Sequence, residues 1–160
     1  MRIAILIGLG AASVAAALAI AAPRPSGDVT VSDGQMRATL GGSANSAAYM
    51  VIANAGSRPD RLLSVTCACA DRAEIHRSGV QGGMMTMAPA GPVVVPAHGR
   101  VAFSPGGLHV MLTGVRRRLA AGGRQVMTLR FERAGQVTAA FQVRARIIGQ
   151  GIGPMRGMNP

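Results

Sequence analysis

The stretch VVVPAHGRVAFSPGGLHVML, residues 93–112, decides the fold. Three short apolar runs stand in it: Val93–Val95, Val101–Phe103 and Leu108–Leu112. Two breaks separate them, Pro96-Ala97-His98-Gly99 and Pro105-Gly106-Gly107. Runs this short, rich in β-branched residues and bounded by Pro and Gly, predict strands joined by turns. A helix would need a longer stretch with apolar residues every three or four positions.

The same texture extends in both directions. Further strands are expected at Val29–Ser32, Ala47–Ala53, Leu62–Cys67, Ala73–His76, Met84–Met87, Val126–Glu132 and Gln136–Arg144. Turn chemistry lies between them at Asn54-Ala55-Gly56, Pro59-Asp60, Gly82-Gly83, Gly122-Gly123 and Ala134-Gly135. In the last strand Val137, Ala139, Phe141 and Val143 alternate with mostly polar neighbours, as a half-buried strand requires. Breaks every eight to twelve residues predict an all-β sandwich or barrel. No internal repeat is visible.

The ends read differently. Arg2 precedes an uncharged apolar run from Ile3 to Ala22, closed by Ala19-Ile20-Ala21. A positive start, an apolar middle and a small-residue exit predict a secretory signal peptide over 1–21. The competing reading is an uncleaved anchor, since about 20 apolar residues can span a bilayer. No Cys follows the run, so no lipid-attachment site is expected there. Residues 22–28 read as a linker, 29–146 as one domain, and 147–160 as a flexible Met/Gly/Pro tail.

The net charge is +11, and all 17 basic residues are Arg. A nucleic-acid binder of this charge would want aromatics for stacking bases. Here Trp is absent, with one Tyr and three Phe, and a signal peptide removes the chain from nucleic acid. The charge is read as a solvated Arg-rich surface. Its functional alternative is contact with an anionic membrane surface or an acidic partner, with Arg116-Arg117-Arg118 as the compact cluster.

Ten Met is a high count for 160 residues. On a strand, residues i and i+2 share a face, so His109 and Met111 project together, as do Met85 and Met87. With His76 at the end of a third strand, two imidazoles and two thioethers can meet at one point. Soft thioethers with imidazoles select Cu(I). Hard cations want oxygens, and only six carboxylates are present. A thioether forms no disulfide and carries no proton, which suits an oxidising space. A closed N₂S₂ set holds copper without an open position for catalysis, so a carrier is expected rather than an enzyme. Taken singly, a strand Met is core filler and a lone His a surface or hydrogen-bonded residue. His98, in a Pro/Gly turn, fits that plain role.

Two other readings stay open. Cys67-Ala68-Cys69 can close a small disulfide, bind copper as thiolates, or work as a thiol-disulfide oxidoreductase. The last lacks the C-x-x-C spacing and helix N-terminus that lower a thiol pKa. A plain adhesion or assembly sandwich, with Met as packing, is the third reading. No Ser-His-Asp set, paired carboxylates or phosphate-cradling Gly-rich loop is suggested.

The spacing adds a resemblance. Ten residues separate His76 from Met87, twenty-one separate Met87 from His109, and Met111 completes His-x-Met. This pattern resembles the periplasmic copper chaperones of the PCu(A)C family. All four motif positions match, and Ala47-Ala48-Tyr49, Asn54-Ala55-Gly56 and Asp60-Arg61-Leu62 are similar as well. The resemblance spans Val29 to Val143. It implies a cupredoxin-like, immunoglobulin-like β-sandwich, with Cu(I) held near the surface by His76, Met87, His109 and Met111; a monomer is expected. It also implies a periplasmic location. Copper would pass toward the CuA centre of cytochrome c oxidase, with a Sco-type thiol protein and oxidase subunit II as partners. Arg77 and Ser78 stand where some members place an extra Met. The tail has Met155 and Met158 but no His for a second copper. Met85, Cys67 and Cys69 remain accessory candidates.

Overall fold

The computed structural model describes residues 27–147. The expected signal peptide, most of the linker and all but the first residue of the tail lie outside the described residues. Ten strands form: β1 Val29–Arg37, β2 Asn45–Asn54, β3 Asp60–Cys67, β4 Ala70–Gln81, β5 Met84–Pro89, β6 Val93–Val95, β7 Gly99–Phe103, β8 Leu108–Val115, β9 Arg124–Phe131 and β10 Gln136–Arg144. No helix occurs among the described residues. Every expected strand is present, and most run past their expected ends, β1 and β4 the furthest. β1 passes through Asp33-Gly34 by a register shift instead of ending there. β4 and β8 extend each other, because Ala70–Arg77 of one pairs with Leu108–Val115 of the other. Ladder hydrogen bonds, not apolar side chains, carry these extensions.

The expected sandwich is built from one continuous sheet, ordered β5-β4-β8-β2-β1-β10-β9-β3-β6, with β7 also paired to β2. The sheet doubles over. β3 packs against β4 without pairing to it, and β6 meets β7 in the same way. β5, β4, β8, β2 and β7 make one layer, and β10, β9, β3 and β6 make the other. β1 joins the two layers at the corner: it pairs with β2 on both sides of its bulge, and its last residues, Gln35–Arg37, also pair with β10 in parallel. A Cβ on Gly34 would lie 2.6 Å from the Ala140 carbonyl and 3.1 Å from the Phe141 ring. Only a residue without a side chain lets the corner close this tightly.

Strand alternation separates the core from the site. Val110 and Leu112 of β8, with Ala48, Met50 and Ile52 of β2, are buried between the layers. They meet Leu62, Met127, Leu129, Phe141 and Val143 from the opposite layer in one core. The intervening residues, His109 and Met111 on β8 and Ala47 and Tyr49 on β2, face outward.

Candidate metal centre

The register of four strands gathers the ligand-type side chains on that outer face. Directly opposed residues of an antiparallel pair share a face. His76 opposes His109, and Glu74 opposes Met111. Ser78, two residues beyond His76, opposes Met87, and Val80 opposes Met85. Both histidines and Met85, Met87 and Met111 therefore stand on one side of the sheet. The β4–β5 turn fixes this register. Gly82 and Gly83 both have positive φ (58° and 78°), the backbone that a tight two-residue hairpin demands.

The two imidazoles touch. Their ring centroids are 6.0 Å apart in an edge-on arrangement. Nδ1 of His109 lies 3.2 Å from the Gly107 carbonyl. A carbonyl only accepts, so Nδ1 carries the hydrogen and donates it, leaving the Nε2 lone pair for a ligand. Nε2 of His76 is buried and has no hydrogen-bond partner. The Glu74 carboxylate stands 3.6 Å away, within reach of electrostatic attraction but too long for a hydrogen bond. A buried ring nitrogen left unpaired is costly in a folded protein unless something else takes its lone pair.

Met85, Met87, His109 and Met111 line one open cavity of about 440 Å³, whose other walls include Arg37, Leu40, Tyr49 and Pro105. His76 is not part of that lining; it opposes His109 from the neighbouring strand β4. Tyr49 leans on the other side of His109, with ring centroids 6.4 Å apart. Burial pushes the Tyr49 phenol above its usual pKa, and the Arg37 charge offsets part of that rise. The segment between β1 and β2 walls the cavity. It is pinned by a reciprocal pair of hydrogen bonds, Thr39 N–H to the Leu119 carbonyl at 3.1 Å and Leu119 N–H to Thr39 Oγ1 at 3.0 Å. Exposure is graded across the site: His109 is 5% exposed, Met111 is half-buried, and Met87 is 63% exposed.

The donor set fits a soft metal. Among the described residues no three His, Cys, Asp or Glu side chains are grouped to hold an ion. Any site here depends on the thioethers, and thioether with imidazole is a Cu(I) set.

The structure leaves two accessory candidates outside this group. Cys67 and Cys69 are joined in a disulfide, so neither offers a thiolate. They lie at the β3–β4 turn, beyond Ala70. Ala70 is six residues along β4 from His76, about 20 Å at ~3.3 Å per residue. Met85 does reach the cavity. His98 sits at positive φ in the turn before β7, away from the other histidines. Sequence reasoning missed Tyr49 and Glu74 as neighbours of the site. Two-residue alternation from Ala47 and from His76 would have found both, once the strand pairings were known. The Thr39–Ser43 wall carries no local signal.

Comparison with known proteins finds relatives of the same fold. Residues 29–143 match the family described as "Putative lipoprotein LpqE-like". A putative lipoprotein, Lxx21020 of Leifsonia xyli subsp. xyli, is 31% identical over 143 residues, covering 88% of this chain and 85% of its own. The copper-bound PCuAC domain from PmoF2 superposes with a TM-score of 0.64 at 31% identity, over 75% of this chain and 95% of that one. CuI-DR1885 from Deinococcus radiodurans superposes with a TM-score of 0.56 at 26% identity, over 73% of this chain and 78% of that one.

Proposed function

The chain belongs to the LpqE-like family and carries a PCuAC-type domain, and from that premise we propose that it is an exported Cu(I) carrier. Its role is that of a copper chaperone, not an enzyme, and the ligands are His76, Met87, His109 and Met111. The observation that carries this reading is the paired imidazoles. Nε2 of His76 is buried without a partner, Nδ1 of His109 is tied down, and two thioethers line the adjoining cavity. Two solved structures with this fold hold copper, one of them Cu(I) by its name.

The ligands arrive from three strands, β4, β5 and β8, so the site exists only in the folded sheet. Met87 and Met111 supply soft sulfur, and the histidines supply nitrogen. None of the four needs to lose a proton except a charged imidazole. The exposed Met87 side is where an incoming partner ligand can exchange for a resident one.

Delivery toward the CuA centre of cytochrome c oxidase, with a Sco-type thiol protein and subunit II as partners, is the finer reading. The four-position motif supports it, and so does the apolar N-terminal segment, read as a signal for export to the periplasm. The test is Cu(I) titration of the mature chain against a colorimetric competitor, with X-ray absorption on the loaded protein. One tight equivalent with two sulfur and two nitrogen neighbours is expected. Loss of tight binding in Met87→Ala, with retention in the double Cys→Ser variant, assigns the site. No tight copper in the parent chain refutes the reading.

A further inference from the structure

We propose that the Cys67–Cys69 disulfide is a reversible thiol-exchange centre, separate from the copper site, whose reduced form is held by the Arg116–Arg118 cluster. The bond lies at the turn where the chain crosses between layers: Cys67 pairs with Met127 on β9, and Ala70 pairs with Val115 on β8. It closes a loop of two residues' separation. Constraint of the unfolded chain grows with loop length, so this loop gains the least from being closed. The turn is also held without it. Arg116 N–H donates to the Cys69 carbonyl at 3.0 Å, and both flanking strands are paired up to the turn, at Cys67 and at Ala70. A covalent staple adds little here, which points to chemistry instead.

The surroundings favour a thiolate. Cys69 lines a cavity of about 490 Å³ together with Arg116, Arg117, Arg118 and Leu119. Arg116 is paired with Asp71 at 2.9 Å, while Arg117 and Arg118 make no ion pair among the described residues. Arg117 and Arg118 share that cavity with Cys69, and uncompensated positive charge near a sulfur stabilises its anion and raises its quality as a leaving group. Ala68, between the cysteines, is exposed, and both cysteines are half-buried. An attacking thiol therefore has a path to the bond.

The asymmetry sets the order of events. An incoming thiolate attacks Sγ of Cys67, the S–S bond breaks, and Cys69 leaves as the thiolate beside the arginines. A second thiol attacks the sulfur of the incoming group. It releases an external disulfide and returns Cys67 as a thiolate. Two electrons pass from two external thiols to the protein disulfide, and the two thiol protons end on the cysteines or in solvent. The co-reactant is a thiol pair, and glutathione serves as the probe.

The test equilibrates the full chain with reduced and oxidised glutathione at pH 7, then traps free thiols by alkylation and counts them by mass. The parent chain is expected to gain two alkylated cysteines reversibly, with its circular dichroism unchanged. In Arg117→Gln/Arg118→Gln the equilibrium should shift toward the disulfide by at least about threefold, since nearby opposite charge favours the thiolate. Cu(I) stoichiometry, read about 20 Å away, should stay as in the parent. Two results overturn the proposal: a disulfide that yields only when the fold melts, or a glutathione equilibrium that moves less than threefold in the double variant. The first would mark the bond as a structural pin of the crossover.

Discussion

Met87→Leu separates a copper ligand from a packing residue, because Met87 is the most exposed of the four proposed ligands at 63%. A buried Met replaced by Leu can cost up to about 1.5 kcal/mol, but an exposed one changes stability within about 0.5 kcal/mol. The copper-free protein should therefore melt almost as the parent does. Copper changes the comparison. A ligand at 1,000 times its dissociation constant stabilises the native state by about 4 kcal/mol. Loss of a supporting group around a metal costs ten- to a hundredfold in affinity, and loss of a ligand should cost at least about a hundredfold. At the same free copper the variant then keeps only about 1.4 kcal/mol. Unfolding entropy is about 2.1 cal/mol/K per residue, so a domain of this size shifts by about 4 °C per kcal/mol. The parent should gain about 16 °C on Cu(I) loading and the variant about 6 °C, while their copper-free melts agree within about 2 °C. Differential scanning calorimetry under anaerobic, buffered Cu(I) reads both quantities. An undiminished copper shift in Met87→Leu would remove Met87 from the ligand set. A large loss in the copper-free melt would show that the side chain packs rather than binds.

His109→Ala should behave differently from Met87→Leu. The ring is buried between Tyr49 and His76, so the copper-free melt should fall by about 1–3 kcal/mol as well, and tight Cu(I) binding should vanish in the competitor titration. Gly107 keeps its Ser78 N–H partner at 3.0 Å, so no carbonyl is orphaned and the variant should still fold. Met85→Leu should leave Cu(I) affinity unchanged, because Met85 lies outside the four, but should slow release to a chelator in stopped flow if Met85 meets copper in transit. An affinity loss of tenfold or more would make Met85 a resident ligand instead. Gly34→Ala drives a Cβ against the Ala140 carbonyl at 2.6 Å, and overpacking of this kind costs about 1–3 kcal/mol, read by urea melting; a neutral result would mean that β1 relaxes at its corner.

Much of the fold was legible because strand physics is local. Short apolar runs between Pro and Gly punctuation marked most of the ten strands, and Gly82-Gly83 set the hairpin that carries Met85 and Met87. The single sheet was not legible. Whether two layers are separate or joined depends on β1, where Asp33-Gly34 reads as a strand end but acts as a bend, and only the approach of Ala140 explains the glycine. The length of β4 was hidden for a related reason. Its second half, Arg77 to Gln81, is mostly polar or small and is a strand because β5 pairs with it throughout. That His76, Met87, His109 and Met111 share one face was suggested by the spacing, and the strand pairings put them there. Glu74 and Tyr49 were not so marked, because their place beside the histidines is a property of register.

Register also explains how one strand can serve two purposes. In β8, Val110 and Leu112 belong to the core, and His109 and Met111 belong to the metal face, with no residue shared. Copper chemistry can therefore change on the outer face without repacking the interior, and a slip of one residue would exchange the two sets entirely. That slip is resisted from both sides: β2 opposes Met111 with Ala47, and β4 opposes His109 with His76. The gradient across the site follows from the same order of strands. β8 is flanked on both sides and buries its histidine, whereas β5 is the sheet edge and leaves its methionines open. A ligand on a central strand is held in place, and a ligand on an edge hairpin is accessible to a partner. A carrier needs both, one set of donors to keep the ion and another to surrender it, and the position of each strand in the sheet supplies that division before any copper is bound.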